Sequence, residues 1–377
     1  MSALPTVPRE QVRLLTVDAT HGEATATVRP AISSPSGTTG RQPGNAPSVR
    51  DANAERLEVT PFAELPRFLR RGDVLVVNDA ATIPASLRGQ TAAGERLELR
   101  LFDPQASDWS AVLFGGGDFR TRTEDRPAPP VVGEGGRLRI GGLSARVMGV
   151  APRSWRLIRL RFEAPEEEVW RMVYQRGAPV QYAHRPEPEP LWAFQNVYAS
   201  RPWAAEHVSA GRPLSWALLL RLREAGVQVL ALTEGAGLSS SGEAALDAAL
   251  PLPERYAIPA GTAAAANAAL AGGHRVIAVG TSVMRALEGS VDQRGVVAGE
   301  GVTALFIDEA HRRRVVSGLL TGIHTPQESH YLLLRSLVSE GALTRISARA
   351  NEAGLQGHEA GDAMLILAPL PPGPSSP

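Results

Sequence analysis

Three short segments place polar side chains directly after apolar runs, where they could bind a ligand or move a proton. Asn78 and Asp79 follow the β-branched run at 74–77, which is typical of a buried strand. Gly280, Thr281 and Ser282 follow a second apolar run and begin a helical pattern. Polar groups at the ends of parallel strands meet at one edge of a sheet, where α/β proteins usually bind ligands. His324, in a polar turn before a third helical pattern, adds a side chain that can transfer a proton near neutral pH.

Each segment also has a purely structural explanation. Asn78 and Asp79 could close an Asx-type turn, and a hydroxyl before a helix is a common N-cap. Arg285 and Glu288 lie one helical turn apart, so they could pair on the helix surface. A histidine in a turn, such as His324, is more often a surface residue than a catalyst. The residue types alone leave both interpretations open.

The composition excludes several kinds of chemistry. The chain has no lysine, so all 39 basic residues are arginine, and it has no cysteine. Schiff-base chemistry, P-loops, thiolate catalysis, disulfides and zinc–thiolate sites are therefore excluded. The eight histidines and the carboxylates show no metal-ligand spacing, so we predict no metal site. Gly235, Ala236 and Gly237 could receive an anion before a helix, although a tight turn explains them better.

Length and charge set broad limits on the function. With 377 residues the chain is long enough for two folding units. Its 39 basic and 39 acidic residues give zero net charge, so RNA contact would need local arginine patches, for which Arg67, Arg70, Arg71 and the run at 312–314 are the candidates. The chain shows neither a signal peptide nor a membrane span. We therefore expect a soluble, cytoplasmic monomer with no membrane association.

Periodicity divides the chain into a β-rich part and an α/β part. Short strand patterns separated by Gly- or Pro-rich turns are typical of a small β-barrel, and they cover residues 96–102, 109–114, 137–140, 145–150 and 156–162. Beyond residue 166, helical and strand patterns alternate. The helical patterns cover 215–225, 243–250, 262–271 and 327–339, and the strand patterns cover 227–232, 275–279 and 303–307.

These patterns predict an α/β fold with a mostly parallel sheet domain and an inserted β-barrel. We assign residues 1–70 and 160–370 to the discontinuous α/β domain and residues 71–159 to the barrel-like insert. Residues 32–53 are rich in Ser, Gly, Pro and Thr, so they should form a flexible loop, and residues 371–377 should form a disordered tail.

In this order the three segments resemble motifs of the S-adenosylmethionine:tRNA ribosyltransferase-isomerases of queuosine biosynthesis. The likeness runs from about residue 65 to residue 367. Further matching stretches are Phe-Gln-Asn-Val-Tyr-Ala at 194–199, Ser-Ala-Gly at 209–211, Glu-Arg-Tyr at 254–256 and Gly-Asp-Ala-Met-Leu-Ile at 361–366. Each stretch is short, but the ordered set is hard to obtain by chance.

The resemblance implies a two-domain enzyme that moves the ribosyl part of S-adenosylmethionine onto the aminomethyl group of a 7-deazaguanine in tRNA, giving epoxyqueuosine. S-adenosylmethionine would be a cosubstrate, tRNA would be the partner, and neither a permanently bound cofactor nor a metal is implied. Carried over position by position, it also implies a catalytic role for His324. The substrate-binding positions that it implies are Asn78, Asp79, Ser209, Gly211, Gly280, Thr281, Ser282, Arg285, Glu288 and Asp362.

The chain departs from the family pattern at several polar positions. Three family histidines are replaced by Pro213, Thr233 and Leu252, and an arginine is replaced by Ala81. A histidine-to-proline change removes a proton-transfer group and a backbone donor. The ordered motif set makes a ribosyltransferase-isomerase the leading hypothesis, despite these replacements. The alternative is a catalytically impaired paralogue that binds a nucleoside or RNA without turnover.

Overall fold

The structure, a computed structural model, describes residues 7–20, 55–324, 329–357 and 361–371. The predicted flexible loop at 32–53 lies outside these residues. So does the predicted tail, except for Pro371, which is buried. None of the described helices is long and apolar enough to cross a membrane.

Short strands outnumber helices along the described chain. The strands are β1 (Arg13–Asp18), β2 (Arg56–Pro61), β3 (Val74–Asn78), β4 (Ala80–Thr82), β5 (Ser86–Thr91), β6 (Arg96–Gln105), β7 (Asp108–Phe114), β8 (Arg137–Ile140), β9 (Leu143–Ala151), β10 (Ser154–Phe162), β11 (Arg201–Ala204), β12 (Gln228–Glu234), β13 (Glu254–Ile258), β14 (Val276–Val279), β15 (Val291–Asp292), β16 (Gly295–Val296), β17 (Gly299–Thr303), β18 (Gly318–Gly322) and β19 (Ala363–Leu367). The α-helices are α1 (Glu166–Arg176), α2 (Trp216–Glu224), α3 (Ala244–Asp247), α4 (Ala260–Ala271), α5 (Thr281–Gly289), α6 (Ser329–Leu334) and α7 (Glu340–Glu352). Short 3-10 helices span Arg9–Gln11, Phe62–Phe68, Thr123–Asp125, Leu191–Phe194 and Ser209–Gly211.

The larger domain is built on a nine-stranded sheet in the order β17-β13-β12-β3-β14-β18-β19-β1-β2. At its centre β12, β3, β14 and β18 are parallel neighbours, and β1 pairs in parallel with β19. The remaining neighbours are antiparallel. The sheet is thus mixed, and its parallel part is where long crossovers through helices connect the strands.

Side chains of the central strands alternate between two apolar layers. Val74 and Val76 of β3 pack in the layer that includes residues of α4, α5 and α7. Leu75 and Val77 pack in the opposite layer, with residues of α2 and of the 3-10 helix Phe62–Phe68. The run at 74–77 is apolar without interruption because both sides of the strand are buried.

The inserted domain is a closed antiparallel barrel with strand order β10-β7-β6-β5-β8-β9. Its core includes Leu99, Trp109 and Leu160, and α1 contributes Val169 and Val173 to the same apolar cluster. The chain leaves the sheet at the carboxyl end of β3, and β4 then pairs in parallel with β11. The barrel is therefore attached at the edge of the sheet where the parallel strands end.

The observed fold class agrees with the predicted one, an α/β domain holding a β-barrel insert. The limits of the insert differ, because the predicted range 71–159 includes Val74–Asn78, which lies in the centre of the sheet, and the barrel strands run from Ser86 to Phe162. The predicted strand at 303–307 is also displaced, since β17 ends at Thr303. The predicted helix at 243–250 is the short α3.

Candidate active site at the carboxyl edge of the sheet

The parallel strands bring the predicted site segments to one edge of the sheet. β12, β3, β14 and β18 end there, and β19 begins there because Ala363 is the register partner of Gly322. Asn78, Gly280, His324 and Asp362 therefore lie along the same edge. Some of these side chains are bonded within the protein, and others are open to a ligand.

Asn78 and Asp79 hold the end of β3 to its neighbours. The buried Asn78 amide donates to the Glu234 carbonyl (2.9 Å), and its oxygen accepts from the N–H groups of Glu234 (3.0 Å) and Ala80 (2.9 Å). The Asp79 carboxylate accepts from the hydroxyls of Thr233 (2.6 Å) and Ser200 (2.7 Å). The bond to Ala80 is the Asx-type turn that the sequence left open, so Asn78 shapes the edge from within the protein.

The turn from β14 into α5 uses a left-handed backbone conformation that favours glycine. Gly280 has φ 99°, and a Cβ there would lie 3.5 Å from the Cβ of Ala210. Among the residues that the structure describes, no side chain caps α5, whose first residues Thr281 and Ser282 are half-buried. The 3-10 helix Ser209–Gly211 lies beside this turn, and a Cβ on Gly211 would meet the Tyr198 hydroxyl. Gly211 thus lets its segment approach Tyr198 closely, whereas Gly280 is favoured by its positive φ.

A buried acid cluster, which we define as Glu234, Glu254 and Arg285, lies beneath the N-terminus of α5. The Arg285 guanidinium donates to the Glu254 carboxylate (2.6 Å) and to the Leu305 carbonyl (3.2 Å). The other oxygen of Glu254 accepts from the Gly237 N–H (3.0 Å). Arg285 therefore pairs across the fold with Glu254 and not along its own helix with Glu288. Sequence reasoning matched Glu254 to the family without assigning it to the site.

Glu234 is the member of the acid cluster that sequence reasoning missed. Its side chain is fully buried, and its carboxyl group lies beside Ser282 and Glu254. Burial and the nearby Glu254 raise the pKa of Glu234 well above its ordinary value, against the opposite effect of Arg285. Burial and Glu254 therefore favour the neutral, protonated form of Glu234.

A small hollow lies where β18 meets β19, and two of the predicted residues, Ser209 and Asp362, line it. Its walls include Ser209, Arg212, Thr321 and Asp362. The His324 ring nitrogen lies 2.8 Å from the Thr321 hydroxyl, and the ring is half-exposed. The hollow is thus lined by hydroxyls of Ser209 and Thr321, and His324 contacts it through Thr321.

The Asp362 carboxylate in this hollow is already bonded to other groups of the protein. Its buried carboxylate forms an ion pair with Arg13 (2.7 Å) and accepts from the N–H groups of Arg13 (2.7 Å) and Gln356 (2.9 Å). Asp362 therefore fixes the shape of the hollow.

Glu288 lies at the far end of α5, away from the edge. Its buried carboxylate accepts from the backbone N–H groups of Arg314, Val315 and Val316, which lead into the start of β18. The structure therefore does not bring Glu288 together with Thr281 and Ser282. Sequence spacing could not separate these residues, because all lie on one short helix.

The two predicted arginine patches also lie at the opposite edge of the sheet. Arg70 and Arg71 precede β3, and the run at 312–314 precedes β18. Arg313 donates to the carbonyls of Ser336 and Val316, and Arg314 donates to those of Val291 and Asp292. Both patches are thus remote from the hollow. Within the described ranges, no three His, Asp or Glu side chains are grouped as metal ligands.

Comparison with known proteins matches most of this chain to one family. Residues 48–366 match the family model described as queuosine biosynthesis protein. A protein from Moorella thermoacetica named S-adenosylmethionine:tRNA ribosyltransferase-isomerase is 33% identical over 319 residues, covering 82% of this chain and 89% of its own length. A protein of the same name from Gloeobacter violaceus is 34% identical over 322 residues, covering 81% and 85%. The crystal structure of S-adenosylmethionine tRNA ribosyltransferase from Thermotoga maritima aligns with 97% of this chain and 96% of its own, at 21% identity and a TM-score of 0.47. With the family model covering residues 48–366 and a third of the positions shared with these relatives, the chain belongs to the queuosine biosynthesis protein family.

Proposed function

We propose that this protein transfers the ribosyl moiety of S-adenosylmethionine to a 7-aminomethyl-7-deazaguanine in tRNA, releasing adenine and methionine and forming epoxyqueuosine. The observation that carries the proposal is the 33% identity, over 82% of the chain, to a relative named for this activity. S-adenosylmethionine is then a consumed cosubstrate. We expect the protein to act in the cytoplasm as a monomer.

The reaction needs both a base and a proton donor. The sulfonium of S-adenosylmethionine acidifies the adjacent C5′ protons, so a base must take one of them, and the departing adenine must gain a proton. His324, oriented by the Thr321 hydroxyl, is our candidate for the base. The acid cluster is our candidate for the proton store, because burial and Glu254 favour the protonated form of Glu234.

The binding roles follow from position along the edge. Thr281, Ser282 and Ser209 carry half-buried hydroxyls beside the turn into α5, so we assign them to polar groups of the cosubstrate. Asn78, Gly211, Gly280 and Asp362 act by shaping the backbone around them.

The test is direct product analysis. The purified protein is incubated with S-adenosylmethionine and tRNA bearing the precursor base, and adenine, methionine and the modified nucleoside are measured by mass spectrometry. We expect all three products from the wild type, and a much lower rate from His324→Ala. His274→Ala, at the opposite edge of the sheet, is the matched control and should keep the wild-type rate. Absence of product, with a relative active in parallel, would refute the proposal.

A second candidate function, binding without turnover, is favoured by the replaced histidines. Thr233 donates its hydroxyl to Asp79, and Leu252 is buried in the apolar cluster of the barrel. Neither residue can act as a general base. Calorimetry that detects S-adenosylmethionine binding in the absence of any product would select this second function, and product formation would reject it.

A further inference from the structure

The outer surface of the barrel carries a row of arginines that crosses three neighbouring strands. Arg137 of β8 is the register partner of Arg146 of β9, and Arg146 is the register partner of Arg161 of β10. All three side chains are exposed, at 62%, 48% and 56%. Register partners point to the same face of a sheet, so three guanidiniums stand side by side. We call these three residues the arginine row.

Further arginines extend the same face. Along β8 and β10 exposed arginines alternate with buried apolar residues, which places Arg139 and Arg159 on the outside together with the arginine row. Arg88 of β5 is also exposed, next to the buried Leu87, and it faces the acidic Glu98 and Asp118. This face is strongly basic in a chain whose formal net charge is zero.

Ion pairs offset only part of this charge. Asp108 pairs closely with Arg161, with oxygens 2.6 and 2.8 Å from the guanidinium. Glu163 lies farther from Arg137 (3.6 Å) and Arg146 (3.9 Å) and is shared between them. Like charges directly across strands destabilise a sheet. Three arginines against two carboxylates leave residual positive charge on this face, which a bound polyanion would neutralise.

The chemistry of the face selects the kind of polyanion. Guanidinium forks pair with phosphate oxygens through two hydrogen bonds each, and successive strands lie about 4.8 Å apart, so the arginine row spans about 10 Å. That length suits neighbouring phosphates of a nucleic acid backbone. The barrel is also attached at the sheet edge that holds the candidate active site, whereas the arginines predicted from sequence lie at the opposite edge.

We propose that the arginine row, with Arg88, Arg139 and Arg159, is the surface that binds the phosphate backbone of the tRNA substrate. The identity of the RNA as tRNA rests on the proposed function. The basic face itself rests on strand register and exposure alone.

The test compares two triple variants that remove equal charge. Arg137→Gln, Arg146→Gln and Arg161→Gln are combined in the barrel variant. Arg221→Gln, Arg223→Gln and Arg312→Gln, all exposed outside the barrel, form the control variant. Affinity for fluorescent tRNA is measured by anisotropy from low to moderate salt. Phosphate contacts contribute about 0.7 to 0.9 each to the slope of log K against log salt. The barrel variant should therefore lose about two to three units of slope and about tenfold or more in affinity, and the control variant should stay within about threefold of the wild type.

A third variant separates folding from binding. Arg137→Lys, Arg146→Lys and Arg161→Lys keep the charge, so this variant should retain most of the affinity, and thermal unfolding checks that all variants fold. Equal losses in the barrel and control variants, or no loss in either, would overturn the inference, as would binding to anionic vesicles without binding to tRNA. If tRNA binds through this face but no product forms, the proposed function fails and this inference stands. If product forms and the barrel variant binds normally, only this inference fails.

Discussion

Replacing Glu234 by glutamine should remove a loss of stability that the wild type suffers as the pH rises. The side chain is fully buried beside Glu254, and these two causes, burial first, raise its pKa well above the ordinary value of 4.5. Glutamine has nearly the same shape and is neutral at every pH. The substitution therefore changes the charge state of this site and little else.

The sign follows from proton binding in the two states. Above about pH 4.5 the unfolded chain gives up this proton, whereas the folded protein keeps it until the pH reaches the raised pKa. The folded state thus binds more protons, so the free energy of unfolding falls as the pH rises through this window. The expected slope is about 1.4 kcal/mol per pH unit. The wild type should therefore lose stability relative to Glu234→Gln as the pH rises above about 4.5 toward the raised pKa.

The assay is urea unfolding of wild type and variant at several pH values, followed by the difference in their free energies. Glu98→Gln in the barrel is the control of opposite sign. Although burial opposes it, Arg100 and Arg126 lower the pKa of Glu98, so the advantage of the wild type at that position should shrink as the pH falls. A difference between wild type and Glu234→Gln that does not change with pH would refute the reasoning about the acid cluster.

Three further predictions concern single contacts. Glu288→Gln should lower the free energy of unfolding by about 1.5–3 kcal/mol, measured in urea, because the buried carboxylate accepts three backbone N–H groups. Gly211→Ala should lower it by about 1–3 kcal/mol, since the added Cβ would overlap the Tyr198 hydroxyl, and a melting temperature equal to that of the wild type would contradict this contact. His324→Ala should reduce turnover by about 10²- to 10⁴-fold with an unchanged melting temperature, and single-turnover release of adenine would measure it.

Local patterns were sufficient to predict much of the fold. The continuous apolar run at 74–77 predicted β3, which is buried on both sides. The alternation of arginine and apolar residues at 137–140 predicted β8, which is exposed on one side. The boundary of the insert was misplaced because the same apolar run can begin a barrel or complete a sheet. The missing information was which strands pair, and pairing depends on residues far apart in the chain.

The site was less predictable than the fold for the same reason. Asn78 and Gly280 were found because they end or follow strands. The ion pair of Arg285 with Glu254 joins residues 31 positions apart, so helical spacing pointed to Glu288 instead. The raised pKa of Glu234 could not be predicted from the sequence, since it depends on burial that only the assembled sheet creates. The strand-end position shared by Asn78 and Glu234 is the clue that could have found it.

The side chain of Asn78 serves as a substitute peptide group. Where the β3 backbone turns away toward the barrel, the carboxamide continues the pairing with β12 by one more rung, using an acceptor and a donor as a main-chain unit would. An isosteric leucine would leave the facing N–H and C=O of Glu234 unmatched, and aspartate would set an oxygen against an oxygen. The Asn78 carboxamide thus maintains the strand pairing at the point where the chain passes from the sheet domain into the barrel domain.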